Sequence, residues 1–227
     1  MDRLLATYSV VRRLAEKNGC KTIRLRHKEK QKDLVLHSLP EKSDAYEFVC
    51  TVKQKNLPYV YDVVGLDDGC IVLEEFIDGI TVADVLETGK YRYIGAKRII
   101  SSLCDALALL HGQGIVHRDI KPENVMIDKN GRVVLIDFNA SRVHKSASRD
   151  TVVMGTVGYA SPEQMGIAQS DSRTDIYALG VLLNVMLTGR HPCEGTASGR
   201  AGRIIEKCTS IDPSKRYQTV DEVKKAL

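Results

Sequence analysis

The sequence predicts an α+β protein of two lobes, a small strand-rich one followed by a larger helical one. Three observations carry that expectation. Alternating hydrophobic stretches fill the region before Gly79, a three- and four-residue apolar rhythm follows it, and Asn130-Gly131 sits between two apolar runs as a hairpin turn. With 227 residues, 43% of them hydrophobic and 27% charged, the chain has the composition of a folded globular protein rather than a disordered or fibrous one.

Residues 8–14 read as a strand, followed by a polar turn containing Gly19. Over residues 22–26, Ile23 and Leu25 alternate with arginines. After a lysine-rich turn, residues 33–39 put Val35, His37 and Leu39 on one face. Residues 43–52 suit a helix capped by Ser43 or Asp44. Strands over 59–64 and 70–76 surround the turn Asp67-Asp68-Gly69. One domain is expected, with lobes at residues 1–76 and 77–227 and a connection near residues 75–79. Beyond it, Ala96, Ile99, Ile100, Leu103, Leu107 and Leu110 form one apolar stripe on a long helix ending near Gly112 or Gly114. Residues 125–127 and 133–136 flank the Asn130-Gly131 hairpin. Residues 175–187 form an apolar helix stopped by Gly189 and Pro192, and 204–208 and 220–227 read as two short closing helices.

The net charge of +4 is too small to argue for a nucleic-acid partner. Nine Lys or Arg between positions 12 and 32, against Glu16 and Glu29, make either a solvated strand face or a surface that attracts an anion. Six scattered cysteines lack a CxxC pair and a histidine cluster of the kind zinc needs, so they read as reduced thiols of a cytoplasmic protein. The opening residues have no signal-peptide pattern, and no apolar stretch is long enough to span a membrane within this chain.

The chemistry concentrates in His117-Arg118-Asp119-Ile120-Lys121-Pro122-Glu123-Asn124 and, beyond the hairpin, Asp137-Phe138. The hairpin brings Asn124 and Asp137 side by side, and two oxygen ligands so spaced suit a Mg²⁺ that keeps water and phosphate oxygens. Asp119 stands near enough to orient a hydroxyl, and Lys121 can neutralise a transferring phosphoryl group.

Those residues resemble the Hanks-type protein kinases, which share HRDxKxxN and DFG motifs. Gly155-Thr156-Val157-Gly158-Tyr159-Ala160-Ser161-Pro162-Glu163 is similar to the end of a kinase activation segment, in the SPE form common in bacterial members. Asp175-Ile176-Tyr177-Ala178-Leu179-Gly180 resembles the central helix whose aspartate holds the catalytic loop. Asp212-Pro213-Ser214-Lys215-Arg216-Tyr217 resembles the closing motif whose arginine, here Arg216, pairs with the SPE glutamate, here Glu163. The likeness covers about residues 8–227.

The resemblance implies a bilobal protein kinase-like fold that uses ATP and Mg²⁺ on a protein substrate. It makes Asp119 the catalytic base, Asn124 and Asp137 the metal ligands, and Lys121 a mark of Ser/Thr rather than Tyr specificity. It implies nucleotide contacts from Leu14, Lys21, Ile23, Val35 and His37. Leu73 stands as gatekeeper, Glu74, Glu75 and Phe76 as a hinge facing adenine, and Met126 as the floor of that pocket. Ser146, Ser148 and Thr151 are candidate phosphorylation sites with Arg118 as counter-charge, and Thr156 a structural or substrate-positioning residue.

The pattern also departs from the family. Of residues 14–21, matching the glycine-rich loop, only Gly19 is glycine. His37 stands where the family has lysine, and Ala45 where it has the partner glutamate, with Glu47 turned away. Cys20-Lys21-Thr22-Ile23 is similar to the strand from which the with-no-lysine kinases supply the missing charge, so Lys21 and His37 are both candidates. Asn139 replaces the DFG glycine and is expected to accept positive φ. Residues 191–203 are compact where relatives insert a helix that helps to dock protein substrates. Three functions follow: a Ser/Thr protein kinase, a pseudokinase acting as a binding or allosteric module, and a small-molecule phosphotransferase, against which the Glu163–Arg216 signature counts.

Overall fold

The computed structural model describes residues 6–17, 19–143, 158–165 and 170–227, with the side chains of Lys17 and Met165 left aside. The chain forms two compact units, Met1–Asp78 and Gly79–Leu227.

The first unit is a five-stranded antiparallel sheet ordered β1-β2-β3-β5-β4, with β1 Tyr8–Lys17, β2 Cys20–His27, β3 Asp33–Leu39, β4 Val60–Leu66 and β5 Gly69–Glu75. The register sorts its side chains. Thr22, His37 and Val72 stand opposite one another, as do Arg24, Val35 and Glu74, and all six share a face. Lys21, Ser38 and Ile71, and Ile23, Leu36 and Leu73, lie on the other. Helix α1, Asp44–Thr51, begins where the Ser43 side chain accepts the Tyr46 N–H. It buries Ala45, Tyr46 and Val49 and leaves Glu47 exposed. The Tyr46 and His37 rings are 5.5 Å apart, so α1 covers the face that carries His37. Gly69 closes the β4–β5 hairpin at φ 118°, where a Cβ would stand 2.0 Å from the Leu39 carbonyl oxygen. β1 and β2 stay paired to Lys17 and Cys20, so a tight hairpin occupies the segment that matches the glycine-rich loop.

The second unit is mainly helical. It contains β6 Gly79–Thr81, α2 Val82–Thr88, α3 Tyr93–Gly112, β7 Ile115–Val116, β8 Val125–Asp128, β9 Val133–Leu135 and β10 Arg142–Val143. These are followed by α4 Ser172–Thr188, α5 Gly199–Cys208 and α6 Val220–Ala226. The apolar stripe on α3 is buried along its whole length. Helix α4 starts three residues before Asp175 because Asp171 caps it, accepting the Arg173 N–H. It stops where Gly189 turns left-handed and donates to the Val185 carbonyl. Helix α5 starts well before residue 204, and it packs so closely on α4 that a Cβ on Gly180 would lie 2.5 Å from the Cβ of Cys208. The β8–β9 hairpin turns on Gly131 at φ 77°, with Asp128 Oδ1 accepting from the N–H groups of Asn130 and Arg132.

Leu103 is fully buried at the centre of α3. Leu103→Ala is expected to cost about 2–5 kcal/mol, read as a lower urea midpoint with an unchanged m value.

Candidate active site

In the second unit, a 3-10 turn over Pro122–Asn124 follows the HRD segment, with Pro122 at its first position. The turn folds Asn124 back on Asp119, so that Asn124 Nδ2 donates to the Asp119 carbonyl at 2.8 Å and to Asp119 Oδ2 at 2.9 Å. Lys121 Nζ reaches the same Oδ2 at 2.6 Å. Three of the residues singled out from sequence therefore meet around one carboxylate oxygen.

Asp137 joins them through the hairpin. The Ile136 N–H donates to the Asn124 carbonyl at 2.9 Å, extending the β8–β9 ladder by one step. The left-handed residue here is Asp137, at φ 67°, not Asn139 as expected. Aspartate tolerates this conformation because its own Oδ1 accepts the Asn139 N–H at 3.2 Å, an Asx-type turn. Phe138 is fully buried, edge-on to His117 at 5.2 Å.

The loop is held from below by Asp175 on α4. Its Oδ1 accepts the Arg118 N–H at 2.8 Å, and its Oδ2 accepts the His117 N–H at 2.9 Å and His111 Nε2 at 2.8 Å. Burial alone would push this carboxyl up, but the His111 hydrogen bond, with the Arg118 N–H, holds it below the usual carboxylate range. Burial pushes His117 down, so its ring is neutral. Arg118 is buried at φ 70°, and its carbonyl accepts Gln164 Nε2 at 2.8 Å. His111 and Gln164 escaped the sequence reading. The only trace of His111 was a polar residue at the end of the α3 stripe.

Glu163 and Arg216 form a buried two-point pair, Nη1 to Oε1 at 2.6 Å and Nη2 to Oε2 at 2.9 Å. Burial would raise the Glu163 carboxyl, but the Arg216 hydrogen bonds hold it down. Arg216 also donates to the carbonyls of Ser210, Arg173 and Ile211, and Thr174 Oγ1 donates to Glu163. Thr151 and Thr156, with Ser146 and Ser148, lie outside the described residues.

The residues expected at the nucleotide in the first unit do not form one constellation. Val35, His37 and Glu74 share a face, whereas Lys21, Ile23 and Leu73 lie on the opposite one because side chains alternate along each strand. The β5 side chain beside His37 is thus Glu74, not Leu73. His37 Nε2 is 2.8 Å from Glu74 Oε1 and Nδ1 is 3.1 Å from Thr22 Oγ1, so both ring nitrogens are engaged. Lys21 is exposed and lies 3.7 Å from Glu16. Leu14 falls in a β1 irregularity and is 38% exposed. The Phe76 ring is covered by Arg24 at 4.0 Å. In the second unit Met126 is half-buried, opposite Thr81 and Val134.

The donor set around Asp119 fits a magnesium ion. Both Nδ2 bonds of Asn124 go to Asp119, which turns its amide oxygen to the other branch, and Asp137 adds a half-exposed carboxylate. One carboxylate and one amide oxygen suit a cation that completes its shell with water and phosphate. Among the described residues there is no cluster of three or more His, Cys, Asp or Glu that would cage a metal alone.

Residues 7–226 match the protein kinase domain family. The chain belongs to that family. Among curated proteins it is 36% identical over 154 residues to the serine/threonine-protein kinase PknB of Mycolicibacterium smegmatis, covering 66% of this chain and 25% of that protein. It is 31% identical over 184 residues to PknB of Mycobacterium tuberculosis, covering 69% of this chain and 29% of that one. It is also 31% identical over 194 residues to the serine/threonine-protein kinase PrkC of Bacillus subtilis, covering 74% of this chain and 30% of the relative. The kinase domain thus spans less than a third of the length of these relatives. Among the described residues no helix is long and apolar enough to cross a membrane.

Arg216→Met leaves Glu163 buried without its partner and is expected to cost about 3–5 kcal/mol in urea unfolding, with Glu163→Met in the same chain recovering most of the loss. Asp175 and Glu163 are both held low in the folded state, so the unfolded chain binds more protons as pH falls. Their stabilisation is complete above the unfolded carboxylate range, about pH 4, and is lost as pH drops through the folded values. Asp175→Asn should therefore flatten the acid limb of stability against pH. An acid limb as steep as that of the wild type contradicts this account.

Proposed function

We propose that this kinase domain transfers the γ-phosphate of ATP to a serine or threonine hydroxyl of a protein substrate. The observation that carries the reading is the convergence of Lys121 and Asn124 on Asp119 Oδ2, with Asp137 one ladder step from Asn124. Asp119 orients the substrate hydroxyl and accepts its proton as the oxygen attacks phosphorus. Lys121, already beside Asp119, neutralises charge on the transferring phosphoryl group, and by resemblance to the family it marks Ser/Thr rather than Tyr specificity. Asn124 through its amide oxygen and Asp137 through its carboxylate are the residues that would hold Mg²⁺. When bound, that ion supplies positive charge to the phosphate oxygens and fixes their orientation. The names of the bacterial relatives support Ser/Thr specificity. The dispersed thiols suit a reducing cytoplasm, where ATP is found.

A second reading, a pseudokinase acting as a binding or allosteric module, is favoured by His37. Its ring nitrogens are engaged by Glu74 and Thr22, and Lys21 faces the other side of the sheet, so neither obviously replaces the family's lysine.

Incubation with labelled ATP, Mg²⁺ and a generic protein substrate separates the two. The kinase reading expects incorporation that Asp119→Asn reduces by about 10²–10⁴-fold while ATP affinity stays within about threefold. No incorporation by the wild type overturns the transfer reading in favour of the pseudokinase.

A further inference from the structure

A second pair of reactive side chains lies in the short connection between α4 and α5. Asn184, fully buried on α4, fastens that turn at three points. Its Nδ2 donates to the carbonyls of Arg190 at 2.9 Å and Gly195 at 2.8 Å, and its Oδ1 accepts the Ala197 N–H at 2.9 Å. The Glu194 N–H closes the bend on the His191 carbonyl at 2.9 Å.

Inside the bend, His191 Nδ1 is 2.8 Å from Cys193 Sγ and 3.2 Å from the backbone N–H of Cys193. A backbone N–H only donates, so it selects the tautomer with a lone pair on Nδ1, and the thiol proton then points into the same lone pair. His191 Nε2, which carries the proton in that tautomer, is closed off from solvent and has no hydrogen-bond partner among the described residues. Cys193 itself is exposed. Cys70, Cys104 and Cys208 are buried, and burial pushes Cys104 up to about 12 and Cys70 and Cys208 above the usual thiol range. Among the described residues, Tyr177 on α4 interacts electrostatically with Cys193, and Arg190 and Glu194 flank the pair along the chain. His191 also lies 4.0 Å from where a Gly158 side chain would begin, beside the segment that leads to Ser161-Pro162-Glu163.

The geometry points to Cys193 as a reactive thiol, with His191 as its proton acceptor, that is modified by hydroperoxides and other small electrophiles. The proton passes from Sγ to Nδ1, and a sulfur electron pair forms a bond to one peroxide oxygen. The O–O bond breaks with its electrons on the other oxygen, which takes the proton from His191 and leaves as water or alcohol. The thiol is oxidised to a sulfenic acid, and the peroxide is the oxidant reduced.

The test is the rate of Cys193 alkylation by iodoacetamide between pH 6 and 9, read by peptide mass spectrometry beside N-acetylcysteine. A fully exposed small thiol is the reference, so exposure alone cannot produce an excess. Cys193 is expected to react at least about tenfold faster than the reference at pH 6.5, with a nearly level pH profile. His191→Gln should bring rate and profile to those of the reference, with an unchanged melting curve as the folding control. Treatment with hydrogen peroxide and dimedone should then mark Cys193 in the wild type and leave Cys193→Ser unmarked at that peptide. A wild-type profile that tracks N-acetylcysteine, or a His191→Gln rate equal to the wild type, overturns the proposal. The first of these needs no variant.

Discussion

The second unit turns on one buried carboxylate. Asp175 is fully enclosed, and an ionised group there is tolerated only because its oxygens receive three hydrogen bonds, from the N–H groups of His117 and Arg118 and from His111 Nε2. Two of those donors are consecutive backbone amides. They fix the peptide planes on either side of His117, the second of which leads into Arg118 in a left-handed conformation that a large side chain otherwise avoids. Gln164 grips the next carbonyl, so the direction in which Asp119 leaves the backbone is determined before any substrate contact.

Other buried polar groups act in the same way, as readers of backbone rather than as isolated ion pairs. Arg216 meets Glu163 with two nitrogens and also binds three carbonyls, which joins the SPE segment to the start of α4 and to the loop before α6. Such a site penalises the loss of one partner far more than it stabilises the intact pair. Asn184 does with a neutral amide what Arg216 does with a charge, and its reward is a short, well-defined turn.

The first unit keeps a buried histidine, His37, on β3. It pairs within the sheet with Glu74, two positions diagonal on the neighbouring strand, under the ring of Tyr46. Alanine at position 45 then packs as an ordinary buried helix residue.

The protein's amino-acid order alone determined most of what is local. Alternation and turn residues located β3 and the β8–β9 hairpin, the apolar stripe located α3, and the HRD and DF residues announced the cluster at Asp119, because each depends on neighbours a few positions away. Lys21, Ile23 and Leu73 show where that reasoning stops: which strand positions share a face with Val35 and His37 is decided by the cross-strand register, which a count along one strand does not supply. The positive φ of Asp137, the donors that His111 and Gln164 bring to the loop, and the thiol–imidazole contact at Cys193 were likewise settled by tertiary structure. Each arises from backbone torsion or from groups brought together by folding, and neither leaves a periodic trace in the sequence.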